Sequence, residues 1–262
     1  MSTPEAREAE ASFVWPTVLT LPPTAPLIWL SRGFNDMLRE PVPSLFYGVV
    51  LAAMGWLFTR YLGGAIGLAL STGFLLIGPF LAVGLYDISR RIETGEPVEL
   101  RPTLTAWRAN APAIGFFALI LMLSLAVWMR VSVVLVAFFL PEGVETLQGL
   151  LLALRTSPDM WTFILIYMVV GGFLAVFSFA TAAVSLPMLL DRKRMDAITA
   201  MIVSVNLIRT NPAALGLWAV LIVALVAAGF ATWYLGLVVT IPMIGHATWH
   251  AYRASLAPEG DG

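Results

Sequence analysis

Residues 210–252 read TNPAALGLWAVLIVALVAAGFATWYLGLVVTIPMIGHATWHAY, a stretch without a single Asp, Glu, Lys or Arg. A helix crossing the hydrocarbon of a bilayer needs about 20 apolar residues, because its backbone polar groups find no water there and must be satisfied within the helix. This stretch is long enough for two crossings. It reads as a hairpin that turns between Gly229 and Gly236, next to Trp233 and Tyr234 as interfacial aromatics. A second such hairpin spans residues 41–86, broken only by Arg60 and turning near Gly63-Gly64. Between the two lie single crossings at 109–129 and 160–190, which pair as a hairpin over 109–190. The expected fold is therefore all-α: six transmembrane helices in three hairpins within a membrane domain at 27–253.

Composition points the same way. Of 262 residues only 12% are charged and 59% are apolar, against roughly 25% charged in a soluble domain. With a mean hydropathy of +0.87, the chain carries more apolar side chain than a water-soluble core of its size can hide. A net charge of -1 argues against nucleic acid as partner, since phosphate binding needs clustered, unpaired Lys and Arg. No cysteine is present, which removes disulfides, thiolate metal sites and cysteine nucleophiles. Residues 1–26 hold Glu5, Glu8 and Glu10 against Arg7, the wrong sign for a secretory signal, and read as a disordered, Pro-rich cytosolic tail. Residues 254–262 read as a second tail.

Orientation follows from where short loops keep their Lys and Arg. On the six-helix reading 11 of the 15 basic residues fall on one side, among them Arg39, Arg90, Arg108, Arg209, Arg253 and the Arg192-Lys193-Arg194 run. Arg60, Arg130 and Arg155 fall opposite, so both termini are expected in the cytosol of a bacterium, with the body in its inner membrane. Residues 131–158 are expected outside. Segment 131–140 is too short to cross, and Val144, Leu147, Leu151 and Leu154 recur at helical spacing, as in a helix lying on the outer surface.

A device repeats before each odd-numbered crossing: an amphipathic cytosolic helix, an Arg, a short break and then the membrane helix, giving a pseudo-threefold pattern. Arg39-Glu40-Pro41, Arg108 with Asn110 and Pro112, and Arg209 with Asn211-Pro212 are the three copies. Each even-numbered crossing carries a proline, Pro79, Pro187 and Pro242. The first amphipathic helix is expected to lie in the cytosolic headgroup region, with Leu27, Leu30, Phe34, Met37 and Leu38 sharing one face and Arg32 and Asp36 turned away. Arg39, Arg108 and Arg209 either pin the cytosolic helix ends or hold lipid phosphates. The prolines either kink packed helices or mark broken helices around a ligand.

Several strings resemble the bacterial integral-membrane family catalogued as domain of unknown function 2189, some members of which carry the description of cytochrome c oxidase subunits. They are Gly33-Phe34-Asn35-Asp36 with Ser44-Leu45-Phe46-Tyr47-Gly48, the run from Gly78-Pro79 to Tyr86 with Ser89-Arg90-Arg91, Ser185-Leu186-Pro187 with Asp191-Arg192, and the run from Pro242 to Arg253. The likeness covers roughly 29–253. It implies a helical membrane fold and a place beside a terminal oxidase, and supplies no catalytic residue.

His246 and His250 stand four apart, the spacing at which two imidazoles on one helix can share a metal or bind a cofactor. With no Cys in the chain and no Asp or Glu in residues 210–252, the preferred reading is interfacial histidine beside Trp249. A complete haem-copper core needs more than two histidines. No crossing buries an acidic or basic residue at its midplane, which argues against ion-coupled transport. No catalytic set, metal or cofactor is expected. The functional expectation is a non-catalytic accessory or assembly subunit of a respiratory complex, in contact with membrane lipids and with oxidase subunits or further copies of itself. The alternative is a lipid- or small-molecule-binding protein without ion coupling. Reporter fusions joined after Arg253 and within 142–158 are expected to register cytosolic and external activity respectively; an external C-terminus would contradict the orientation.

Overall fold

The computed structural model describes residues 15–62, 69–70, 73, 78–139, 152–153 and 155–257. These are mostly helical and form no sheet. In chain order they form α1 (Ala25–Arg39), α2 (Pro41–Tyr61), α3 (Gly78–Leu81), α4 (Val83–Thr94), α5 (Leu100–Thr103), a 3-10 turn (Ala106–Asn110), α6 (Ala111–Phe139), α7 (Pro158–Ala182), α8 (Ser185–Asp191), α9 (Ala197–Thr210), α10 (Pro212–Ala231) and α11 (Leu237–Ser255). Four stretches are long and apolar enough to cross a membrane: Pro41–Phe58, Ala106–Phe139, Pro158–Asp191 and Pro212–Ala231. The sixth expected crossing, α11, has the length, but His246, Thr248, His250 and Arg253 make its second half polar, and it is not among the four. The Gly63-Gly64 turn and the first part of the second expected crossing, apart from residues 69–70 and 73, fall outside the described residues.

Two boundaries differ from expectation. The crossing expected to end at Met129 continues through Arg130 to Phe139, because one Arg neither breaks a helix nor supplies a stop, and no Pro or Gly intervenes. Residues 131–139, expected in the external insertion, thus belong to α6, and the surface helix read from Val144, Leu147, Leu151 and Leu154 lies for the most part outside the described residues. Residues 15–24, expected in the N-terminal tail, instead lie against the C-terminal end. Val18 and Leu256 form an antiparallel bridge, Leu19 N–H donates to the Ser255 carbonyl at 2.9 Å, and Ala257 N–H donates to Thr17 at 3.0 Å.

The corner between α1 and α2 is made by Glu40 (φ -126°, ψ 66°), and that between α9 and α10 by Asn211 (φ -128°, ψ 54°). Each precedes a proline, which keeps the preceding residue out of the helical region. The Asn211 amide donates to the Leu19 carbonyl and its oxygen accepts from Leu21 N–H, so this corner also holds the N-terminal segment. The middle copy has no such corner, for Ala111 keeps helical dihedrals (φ -55°, ψ -41°) in front of Pro112. The first and third units thus share a local device that the second lacks. Of the three prolines, Pro187 follows an interruption at Ala183 and Val184, Pro79 stands at the start of α3, and Pro242 sits inside a continuous α11. The last hairpin turns at 232–236, where Trp233 and Tyr234 take positive φ and the Thr232 hydroxyl accepts from Gly236 N–H at 2.8 Å.

The packed core sits at one end of the spans. Tyr47 near the start of α2, Ile114 and Phe117 near the start of α6, the whole of Ala182–Leu190, Leu215 and Trp218 early in α10, and Trp249 and Tyr252 late in α11 are all buried in one cluster. Away from that end the helices open. In an 18-residue apolar segment of the Pro158–Asp191 stretch only 11% of the residues are buried within the molecule, and in one of Ala106–Phe139 22%, leaving apolar faces for lipid or neighbouring helices.

Two glycines allow α11 to enter this base. A Cβ on Gly33 would lie 2.5 Å from Ala247 N and 2.8 Å from the Met243 carbonyl, and one on Gly48 would collide with the Val238 carbonyl. These are backbone-to-backbone contacts that no rotamer change can relieve. Gly48→Ala and Gly33→Ala are therefore expected to destabilise the protein by about 1–3 kcal/mol each, the usual range for overpacking. Gly216→Ala, where a Cβ meets nothing within 4 Å, should be neutral. Thermal unfolding in detergent distinguishes them, and equal midpoints for all three variants would contradict the close approach.

Candidate functional site

Once α11 lies against α1 and α2, polar side chains from four helices meet inside the base. His246 on α11 is fully buried. Its Nδ1 lies 2.8 Å from the Ser89 hydroxyl on α4, and its Nε2 2.9 Å from the Ser44 hydroxyl on α2. Ser89 donates to Asp36 Oδ2 on α1 at 2.8 Å, and His250, one turn beyond His246, brings Nε2 to the same oxygen at 2.8 Å. Ser44 also donates to the Glu40 carbonyl at 2.6 Å. A continuous chain runs from His250 through Asp36, Ser89, His246 and Ser44 to the corner residue Glu40.

Proton accounting fixes part of its state. The Ser89 hydroxyl has one proton and gives it to a carboxylate that can only accept, so His246 must carry a proton on Nδ1 and donate it to Ser89. Ser44 has one proton for two acceptors. With a neutral imidazole it must turn from the Glu40 carbonyl toward Nε2; with a second proton on the ring, Nε2 donates and Ser44 keeps the corner carbonyl. At Asp36, burial would push the carboxyl pKa up, but the hydrogen bonds from His250 and Ser89 and the nearby imidazoles outweigh it and hold the value below the ordinary 3.8.

Around this chain the last two turns of α11 are tied down further. Trp249 Nε1 donates to Glu93 at 2.8 Å and Arg253 Nε to the other oxygen of the same carboxylate at 2.9 Å. The Tyr252 hydroxyl donates to Asp191 at 2.7 Å, while buried Arg192 reaches that hydroxyl from Nε and the Ala257 carbonyl from Nη2. Asp87 is buried and takes both Arg90 and Arg91, at 2.9 and 2.7 Å, within its own helix.

Asp36, expected to turn away from the apolar stripe of α1 toward water, points into the core, while Leu27, Phe34 and Leu38 of that stripe are exposed. Asp36 faces inward because its polar partners lie in the core, and the apolar stripe faces the surroundings of a membrane body. His246 is a buried, doubly hydrogen-bonded group instead of an interfacial one. Both its ring nitrogens are engaged by serines, which leaves no lone pair directed at a metal or haem. Among the described residues no group of three or more His, Asp and Glu is placed to hold a metal ion. Arg39, Arg108 and Arg209 stand exposed at three separate helix ends, Arg108 over the Trp107 ring, and the structure joins none of them to the polar chain.

Residues 67–191 match the family model described as predicted integral membrane protein (DUF2189). The match bears out the family resemblance and includes the strings from Gly78 to Tyr86 and from Ser185 to Asp191. The DUF2189 segment contributes Asp87, Ser89 and Glu93 to the polar base, whereas Asp36, Ser44, His246 and His250 lie on either side of it. Searches of the curated proteins and of the solved structures return no match to the chain.

Breaking the chain at its carboxylate should be costly. Asp36→Asn is expected to lower stability by about 3 kcal/mol, as for a buried charge pair losing one member, and Ser89→Ala by about 1 kcal/mol. Because the Asp36 pKa is depressed in the folded state, its contribution is complete above its ordinary 3.8 and disappears as the pH falls through the lower folded-state value. An acid scan of unfolding should therefore show wild type losing stability below about pH 3.8 more steeply than Asp36→Asn. Superimposable acid limbs would contradict the assignment.

Proposed function

We propose that the protein is a non-catalytic, cofactor-free subunit or assembly partner of a membrane complex, inserted in a bacterial inner membrane as six helices with both termini cytosolic. The observation that carries this reading is the unequal packing of its spans. A rigid base is built at one end, while an 18-residue apolar segment of the Pro158–Asp191 stretch, 11% buried, leaves Trp161, Leu165, Met168, Phe173 and Val176 on an open apolar face. Such a face suits side-by-side docking of neighbouring helices. The Ser–His–Asp order of the polar chain does not argue for hydrolysis. Ser44 and His246 are at 0% exposure and Ser89 at 1%, so no substrate atom reaches a hydroxyl unless the helices part.

A terminal oxidase is the first complex to test, on the strength of the sequence resemblance. Val18 and Leu256 are bridged at the end of the spans that holds Arg192, Lys193 and Arg194, which supports cytosolic termini. Gentle detergent extraction of a tagged chain, with identification of co-purifying subunits, is expected to recover oxidase polypeptides. Their haem absorbance should leave when they are stripped away. Haem retained by the isolated chain would overturn this function in favour of a bound cofactor, and a chain that recovers no partner subunit would overturn the accessory role.

A further inference from the structure

The Asp36 chain is sealed, and the smaller polar cavity beside Asp87 is lined by arginines that are already paired. A groove of about 450 Å³ lies between the start of α6 and the loop 192–196. We infer that this groove is a binding site for an anionic phospholipid, with the headgroup phosphate held by Lys193 and Arg194 and the upper acyl chain laid along Phe116 and Ile198. The inference does not rest on the accessory role proposed above.

Position comes first. Ala111 opens α6 and Asp191 closes α8, so the groove lies where two membrane-long stretches end on the same side, at the depth of lipid headgroups. Its lining divides by chemistry. Ala113, Phe116, Met195 and Ile198 make an apolar wall, with Phe116 46% and Ile198 58% exposed, a surface suited to an acyl chain and of no use to a soluble anion. Lys193 and Arg194 form the rim, both exposed, and among the described residues neither is ion-paired.

The neighbouring charges leave that rim cationic. Arg192 is buried and committed to Tyr252 and the Ala257 carbonyl. Asp196, the acid of the groove, is spent on its own helix. It accepts from Thr199 N–H at 2.9 Å, and although burial raises its pKa, the bonds from the Thr199 side chain and from backbone amides hold it below 3.8. Its charge is taken up by the helix N-terminus. Asn110 donates to the Met195 carbonyl at 2.8 Å and closes the back of the groove. Two free cations over an apolar wall at headgroup depth match one anionic phosphodiester with its chain, and the pattern differs from Arg39, Arg108 and Arg209, which stand singly at exposed helix ends.

The test is native mass spectrometry of the full chain with phosphatidylglycerol, phosphatidylcholine of the same chains, and glycerol 3-phosphate. Phosphatidylglycerol should be retained and the other two not. Lys193→Gln with Arg194→Gln should weaken phosphatidylglycerol binding about thirtyfold, from roughly fivefold per basic residue at an anionic surface. Phe116→Ala with Ile198→Ala, both at exposed positions and leaving the charge intact, should weaken it at least about fivefold through lost apolar contact. Unfolding midpoints measured without lipid should stay at the wild-type value for both. Equal retention of the two lipids, or phosphatidylglycerol binding unaffected by the Phe116 and Ile198 change, would overturn the site and reduce it to surface attraction. Glycerol 3-phosphate held as tightly as the lipid would reassign it to a soluble anion.

Discussion

The close approach of α11 to α1 and α2 is the constraint on which the rest depends. Gly33 and Gly48 offer no side chain where the Ala247 and Val238 backbones pass, so three helix axes come together near one end of the molecule. Only at that separation can His246 reach Ser44 and Ser89 at once, and His250 reach Asp36. Without these donors the Asp36 carboxylate would be buried and unpaired, an arrangement that costs more than the fold can spare. Steric permission and polar satisfaction are therefore one condition seen twice.

From that condition follows a molecule in two zones. The base is dense and hydrogen-bonded, sealed by the N-terminal segment against residues 255–257 and by Arg192, Tyr252 and Asp191 beneath it. Beyond it the spans keep large apolar flanks exposed, although α6 and α7 still meet along Trp128, Tyr167 and Leu174. A protein whose rigidity lies at one membrane surface and whose apolar flanks stay open is suited to hold, or be held by, neighbours in the bilayer. The same geometry sets a groove with a basic rim where the spans enter the base.

Much of this was legible in the chain itself. Low charge and long apolar stretches require membrane helices, and residues 210–252 require a turn that falls at Thr232 to Gly236. The proline corners at Pro41 and Pro212 were readable because proline restricts its predecessor whatever the surroundings. The inward place of Asp36 was not. Periodicity reveals an apolar stripe but not what the opposite face meets, and Asp36 finds His250 across 214 residues. The four-residue spacing of the histidines was visible, whereas the serines that occupy His246 come from two other helices and carry no local signal. The end of α6 escaped for a simpler reason: Arg130 looked like an interface anchor, yet a single Arg does not stop a helix.

The chain holds two histidines, so selective 15N labelling of histidine gives a spectrum with one imidazole from the core and one from its edge. Recorded in lipid nanodiscs, it tests the buried chain directly. The structure requires His246 to carry a proton on Nδ1 that is hydrogen-bonded to Ser89 and slow to exchange with water, with a resonance that moves in Ser89→Ala. Two imidazoles with rapidly exchanging, water-like signals that ignore the serine substitution would contradict the account.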